Sequence, residues 1–323
     1  MTSPVPYRSV TTVLTLVVPL ALAAVPFVVA GAWASELPDQ VAVHFGADGP
    51  DRYASVAGAI WPTAIATVVV AVASWALAFF WGRTAQVRRV AAATAVGMAA
   101  FLSTLVVGML DVQRGLTDTA GTTGLGLVMT VAFAVGIGAA ALAAWAVPRD
   151  AHQPAQEPVP PTAAVLDLGP DEAAVWVTHA ESRSALVIGS SVALLTLALG
   201  LLLGLPFLAV PAVLVAAIVL SSTWFTVMVD RRGLTVRSAV GWPRFSVPID
   251  EIREAAVTTV SPLAEFGGWG YRVGRGGRVG VVLRTGEGLQ VERTGGRAFV
   301  VTVDDAATGA ALLNTLAARS RVG

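Results

Sequence analysis

Six long apolar runs, at about 10–33, 58–81, 90–110, 122–147, 185–204 and 206–227, are separated by short polar stretches. About 20 apolar residues are needed to cross a hydrocarbon core of roughly 30 Å, so each run predicts a transmembrane helix. Pro19 and Pro26 predict a bend in the first, where neighbouring helices can satisfy the freed carbonyls. Only Gly204-Leu205-Pro206 separates the last two runs, which predicts a tight helix hairpin, with one bent segment as the alternative. From Phe225 the pattern shortens to β-type runs between turn signals. Strands are expected at Phe225–Val229, Leu234–Ser238, Arg244–Val247, Arg253–Val260, Val279–Arg284, Leu289–Arg293 and Ala298–Val303, then a helix from about Asp304 to Arg319. Asp304 and Asp305 at its start and Arg319 near its end suit the helix dipole. The expected fold class is therefore membrane α-helical with six spans, followed by a small β-barrel or sandwich closed by a helix.

Composition supports this division. The 323 residues are 55% hydrophobic and 13% charged, where soluble domains run to about 25% charged. The formal net charge is zero. It is unevenly spread, since residues 1–224 hold 8 Arg against 12 acids and residues 225–323 hold 13 Arg against 9. Lys and Cys are absent, which excludes disulfides, Cys-bound metal and thiol chemistry. Arg8, Arg83, Arg88, Arg89, Arg149, Arg183, Arg231 and Arg232 flank the predicted spans on one side, against Arg52 and Arg114 on the other. The positive-inside rule then puts both termini in the cytoplasm, and basic residues that are all Arg, with abundant Ala, Val and Gly, fit the coding bias of a GC-rich bacterium and so a bacterial plasma membrane. Arg8 followed by an apolar stretch and Ala32-Trp33-Ala34 also fits a cleaved signal peptide. The apolar region is about twice the usual length for one, so a retained helix is expected. The expected domains are a four-helix membrane part at 1–147 with an outer loop at 34–57, and a Pro-rich cytoplasmic linker at 148–184. A helix hairpin at 185–227 and a cytoplasmic β-domain at 228–323 follow.

The outer loop contains Leu37-Pro38-Asp39, then His44-Phe45-Gly46, then Asp48-Gly49 and Asp51. This pattern resembles the bacterial domain of unknown function 1648, whose segment runs from one membrane helix through a loop into the next. The resemblance covers about 50 residues. The same segment opens immunity and signalling proteins that protect spore-forming bacteria from a sibling-killing toxin. The resemblance thus implies recognition of an extracytoplasmic peptide or protein, with Pro38, Asp39, His44, Phe45, Gly49 and Asp51 as the candidate residues. Read from chemistry, Val41–Phe45 alternates like a short strand. His44, Asp39, Asp48 and Asp51 could then converge on one face, whereas the alternative has the Asp residues capping turns and His44 bonding the loop to the helix ends. A lone His with carboxylates makes a poor zinc site, so no metal or other cofactor is expected.

In the tail, Glu265-Phe-Gly-Gly-Trp269-Gly-Tyr271-Arg272 and Gly274-Arg275-Gly-Gly-Arg278 stand out. With Gly169-Pro-Asp-Glu-Ala-Ala-Val-Trp176 ahead of the helix hairpin, this stretch resembles bacterial membrane proteins whose two helices lead into a pleckstrin-homology-like domain. That resemblance implies a binding module without catalysis. Trp269, Tyr271, Arg272, Arg275 and Arg278 are its candidate lipid or protein contacts, and Arg231 and Arg232 beside the membrane fit the same idea. The alternative is a solvated set of arginines that only sets topology. A net charge of +4 over 99 residues with no recognition motif argues against nucleic acid. The function expected is a non-enzymatic sensor, immunity or scaffold protein whose partners are membrane lipids, an extracytoplasmic peptide or protein, and a cytoplasmic protein. A small-molecule transporter or channel is the alternative. It would need a polar path, yet no predicted helix core holds Asp, Glu, Arg or His.

Overall fold

Among the described residues, five helices are long and apolar enough to cross a membrane: Arg8–Ala32, Val56–Trp81 (α3), Ala85–Asp111 (α4), Leu125–Ala146 (α5) and Arg183–Leu202 (α6). The first comprises α1 (Arg8–Thr12), a π turn at Val13–Val17 and α2 (Val18–Ala32). The π turn lies just ahead of Pro19, whose ring displaces the carbonyl four residues back and loosens the preceding turn. The sixth expected span is a shorter apolar helix, Pro206–Ser222, of which α7 is Ala209–Ser222. It stops because Trp224–Asp230 is drawn into a sheet, leaving a helix of roughly 25 Å. Val28, Ile65, Leu127 and Leu142 stand exposed on these helices, an apolar surface that water does not tolerate. The chain is a multi-pass membrane protein.

This computed structural model describes residues 5–46, 49–116, 122, 124–169 and 172–321. The chain divides into two units, Val5–Arg149 with Gly200–Val210 and Asp150–Leu199 with Pro211–Gly323.

In the first unit α4 lies against α2, α3 and α5. Its contact with α5 is close because small residues face each other. A Cβ on Gly97 would come within 2.7 Å of Ala140 Cβ, and one on Gly136 within 2.9 Å of Phe101 Cβ. Gly138, two residues further along α5, has nothing within 4 Å of a Cβ placed on it. Gly136→Leu is expected to push α4 and α5 apart and destabilise the unit by about 1–3 kcal/mol, read as a lower melting temperature in detergent. Helix α4 begins at Ala85, five residues before its apolar run at 90–110, and so takes in Arg88. That side chain is fully buried yet not wasted. It donates to the carbonyls of Gly82 (2.8 Å) and Pro148 (3.2 Å), stapling the end of α5 to the α3–α4 turn, and lies over the Tyr7 ring.

The second unit holds two sheets. One is antiparallel, ordered β3 (Trp176–Glu181), β4 (Trp224–Asp230), β5 (Gly233–Ser238) and β6 (Arg244–Pro248). The other is ordered β7 (Ile252–Val260), β10 (Gly286–Arg293), β11 (Arg297–Thr302), β9 (Val279–Val282) and β8 (Gly270–Val273), with β11 and β9 parallel. The chain turns from one sheet to the other at Ile249–Glu251, between β6 and β7. Neither sheet closes on itself, so where a barrel or sandwich is expected the described residues form a pair of open sheets. They meet through Phe245 of β6, which stacks on Tyr271 of β8 at 4.3 Å and touches Phe299 of β11.

The terminal helix α9 (Ala306–Arg319) is buried on almost every side between Ala306 and Ala317. Sheet residues cover one face, and residues 164–169 cover another. Asn314 donates to the carbonyls of Ala164 and Ala255, both at 2.9 Å, and Arg319 to those of Leu168 and Gly169. Residues 148–184 were expected as a linker, but from Asp150 onward they belong to this unit. A Pro-rich extended segment makes few internal hydrogen bonds, so its carbonyls and amides are open to side chains of the domain. Its last six residues before Ser182 form the edge strand β3, with Trp176 laid across Gly309 of α9.

Candidate functional site

Two places carry the residues singled out from sequence, one in each unit. In the first, the outer loop is a β-hairpin of β1 (Gln40–Gly46) and β2 (Gly49–Ser55) across the ends of α2, α3 and α4. Val41 anchors it in a cluster with Ala30, Ile60, Val106 and Leu110, joined by Phe27, Trp33, Leu37 and Val43. Ser55 caps α3 by accepting from Gly58 N–H. The expected alternation holds at Val41, Val43 and Phe45, while Ala42 is buried as well. Gln113, just past α4, explains this. Its Oε1 accepts from Ala42 N–H (2.7 Å) and its Nε2 donates to Ala42 O (3.2 Å) and Met109 O (2.9 Å). A buried side-chain amide thus completes the open edge of β1 as a strand would.

Beside it, Arg114 donates to Glu36 (2.7 Å) and Asp111 (3.3 Å) and lies 4.4 Å over the Trp33 ring. The Glu36 hydrogen bond holds the Arg114 pKa above its ordinary value. The clamp fixes the chain that enters the hairpin. Neither Gln113 nor Arg114 was readable as a site residue, because the partners are 71 and 78 positions away.

Of the outer-loop candidates the fold joins two. His44 Nδ1 and Asp51 Oδ1 are 2.5 Å apart, across the hairpin, on its exposed face. A β-bulge between Ala42 and His44 shifts the register so that His44 lies opposite Arg52. Phe45 is half-buried opposite Pro50, and Gly49 takes a positive φ of 118° that permits the turn. Pro38 is half-buried and Asp39 exposed before the strand. Asp48 lies outside the described residues, as do Pro170 and Asp171 of the tail motif. Among the described residues no three His, Cys, Asp or Glu side chains are grouped to hold a metal ion. The hairpin presents a carboxylate–imidazole pair with Arg52 and Tyr53, a surface of mixed charge suited to a polar partner.

In the second unit the Gly-rich tail segment is more ordered than a mobile loop. Helix α8 (Pro262–Phe266) ends at Gly267 with a φ of 66°, and Gly270–Val273 is the edge strand β8. Arg278 is engaged inside the protein. It donates to Glu265 (2.7 Å) and Gln290 (3.3 Å) over the Phe266 ring. Ser261 N–H and Arg278 together hold the Glu265 carboxyl below its usual range. Tyr271 is committed to Phe245, and Arg272 turns back to donate to Trp269 O (2.8 Å). Trp269 and Arg275 are exposed. Arg231 and Arg232, placed beside the membrane by sequence, lie instead at the far end of β4. That strand carries them roughly 20 Å from the helix junction.

No curated protein and no solved structure shows significant similarity to the chain. Residues 21–68, which run from within α2 through the hairpin into α3, match the model of a family described as a domain of unknown function (DUF1648).

Proposed function

We propose that this chain is a non-enzymatic bacterial plasma-membrane protein with both termini in the cytoplasm, acting as a sensor, immunity or scaffold protein. The β1–β2 hairpin is its extracytoplasmic recognition element, and the β-sheet unit is a cytoplasmic pleckstrin-homology-like module for lipid or protein. One observation carries the reading: the exposed His44–Asp51 pair stands on a hairpin whose other side is locked into the helix bundle by Val41 and by Gln113. A rigid base beneath an exposed polar face is what binding without induced ordering requires. The family match over this segment supports treating it as one module. The terminal helix in contact with strands of both sheets supports the inner binding module. Arg8, Arg83, Arg88, Arg89 and Arg149 all flank the helix ends away from the hairpin, which supports the orientation.

The test is growth of a deletion strain under a panel of secreted membrane-active peptides, complemented by wild type or by His44→Ala at equal membrane abundance. The expected result is sensitisation that wild type rescues and His44→Ala does not. Equal rescue by both removes the hairpin from the function, and a deletion without effect under every peptide removes the immunity role.

A further inference from the structure

The four-stranded sheet has one end at the membrane helices. Strand β3 stops at Glu181 just before α6 starts at Arg183, and β4 starts at Trp224 just after α7 stops at Ser222. Ser182 N–H donates to Thr223 O (3.0 Å), so the two junctions lie side by side. Strands β4 and β5 then run out and back, and Ala239 N–H donates to Trp224 O (2.9 Å). The turn between β5 and β6, Ala239–Pro243, therefore returns to the level at which α6 begins and α7 ends.

That turn is unlike the rest of the domain surface. Trp242 is 77% exposed and Val240 61% exposed, with Trp224 also exposed beside them. Neither turn side chain belongs to a core. Arg237 and Arg244 face each other across the strands at the base of the turn, both exposed, and the Arg237 guanidinium lies against Gly241. Neither has an ion-pair partner among the described residues. Glu181, opposite Trp224 in register, is paired with Arg183 at 3.3 Å. The patch is thus apolar at its tip and basic at its base.

We propose that the β5–β6 turn inserts Val240 and Trp242 into the headgroup region of the bilayer that α6 spans, with Arg237 and Arg244 on lipid phosphates. Indole rings settle at that depth, where the ring is apolar and its N–H still meets water. Guanidinium forks match phosphate oxygens and are drawn to an anionic leaflet. The turn would act as a foot that fixes the sheet on the membrane surface and leaves its far end, at Arg231 and Arg232, in water. This lipid contact is separate from the Trp269–Arg278 segment, and it rests on α6 lying in a bilayer.

The absence of Cys makes the test direct. Single Cys residues are placed at Val240, at Arg232 and at Leu194 within α6, labelled with a polarity-sensitive fluorophore, and the full chain is reconstituted in phosphatidylethanolamine–phosphatidylglycerol vesicles. At Val240→Cys the expected result is blue-shifted emission, quenching by lipids brominated high in the acyl chain, and several-fold weaker iodide quenching than at Arg232→Cys. Adding Trp242→Ser to Val240→Cys should reverse much of that protection. Equal iodide access at 240 and 232 overturns the proposal. Protection from iodide without bromolipid quenching also overturns it, because a protein surface then covers the turn. Leu194→Cys must be quenched by deeply brominated lipids; if it is not, the membrane placement of α6 fails instead.

Discussion

Glu251→Ala is expected to destabilise the β-sheet unit by about 3–5 kcal/mol and to open residues 150–157 to proteolysis. Glu251 sits on the turn between the two sheets and is almost fully buried. One of its carboxylate oxygens takes Arg293 at 2.5 Å and Arg297 at 3.2 Å, and the other accepts Gln153 N–H at 3.1 Å. His152 also reaches it at 3.3 Å while bonding Asp250 at 2.8 Å. Removing the carboxylate leaves two guanidinium groups close together, with Arg297 buried and Asp150, at 3.8 Å, the remaining acid opposite it among the described residues. That is a buried charge stripped of its partner, the costly way to break an ion pair. It also releases the segment that enters the unit from Asp150.

The same carboxylate sets a pH dependence. Burial pushes the Glu251 pKa up, but the Arg293 hydrogen bond, the Gln153 amide and the charges of Arg293 and Arg297 outweigh it and hold the value below the ordinary one. A folded pKa below the unfolded value of about 4.3 gives stability that is present above that pH. It is lost as pH falls through the lower folded value. Wild type should therefore lose melting temperature below about pH 4, and Glu251→Gln should start lower and show less of that acid slope. Melting of the full chain in detergent across pH, with limited proteolysis of 150–169, checks both. An unchanged melting temperature and cleavage pattern in Glu251→Ala would show that the cluster does not hold the segment.

The cluster was not legible beforehand, and the reason is general to this chain. Apolar runs predict spans well, since 58–81 became Val56–Trp81 and 122–147 became Leu125–Ala146. The strands from Leu234 to Thr302 fell within a few residues of their expected places because alternation and turn signals are local. What failed was pairing at a distance. Gly49–Ser55 reads as loop and becomes β2 only against β1. Trp176–Glu181 is too short to stand out between a Pro-rich stretch and a span, and becomes β3 only against β4. Gly270–Val273 is obscured by the glycines that let the chain enter it. At the outer site, His44 and Asp51 are seven residues apart, within reach of one hairpin, so their pairing was partly legible. Arg278, by contrast, reads as a ligand contact in sequence because nothing in its own neighbourhood of the chain shows that Glu265 and Gln290 occupy it.

Gln113→Ala is expected to loosen the outer hairpin while leaving the helices in place. Ala42 is buried, so losing the amide leaves its N–H and C=O without their Gln113 partners and away from water. At about 1–3 kcal/mol for each buried polar group left unmade, the hairpin loses roughly 2–6 kcal/mol of local stability. Gln113→Met, which keeps length without hydrogen bonds, should behave alike and so separates bonding from packing. Hydrogen exchange of residues 40–46 is the direct measurement, with faster exchange expected there and unchanged protection in α4. Paired with His44→Ala, this variant divides the site into its two requirements. His44→Ala removes an exposed group and should leave exchange nearly unchanged while abolishing rescue. Gln113→Ala keeps every exposed group and should weaken rescue only as far as the hairpin loosens. Exchange in Gln113→Ala as slow as in wild type would mean that Val41 and its apolar cluster alone hold the hairpin, and that the buried amide merely follows it.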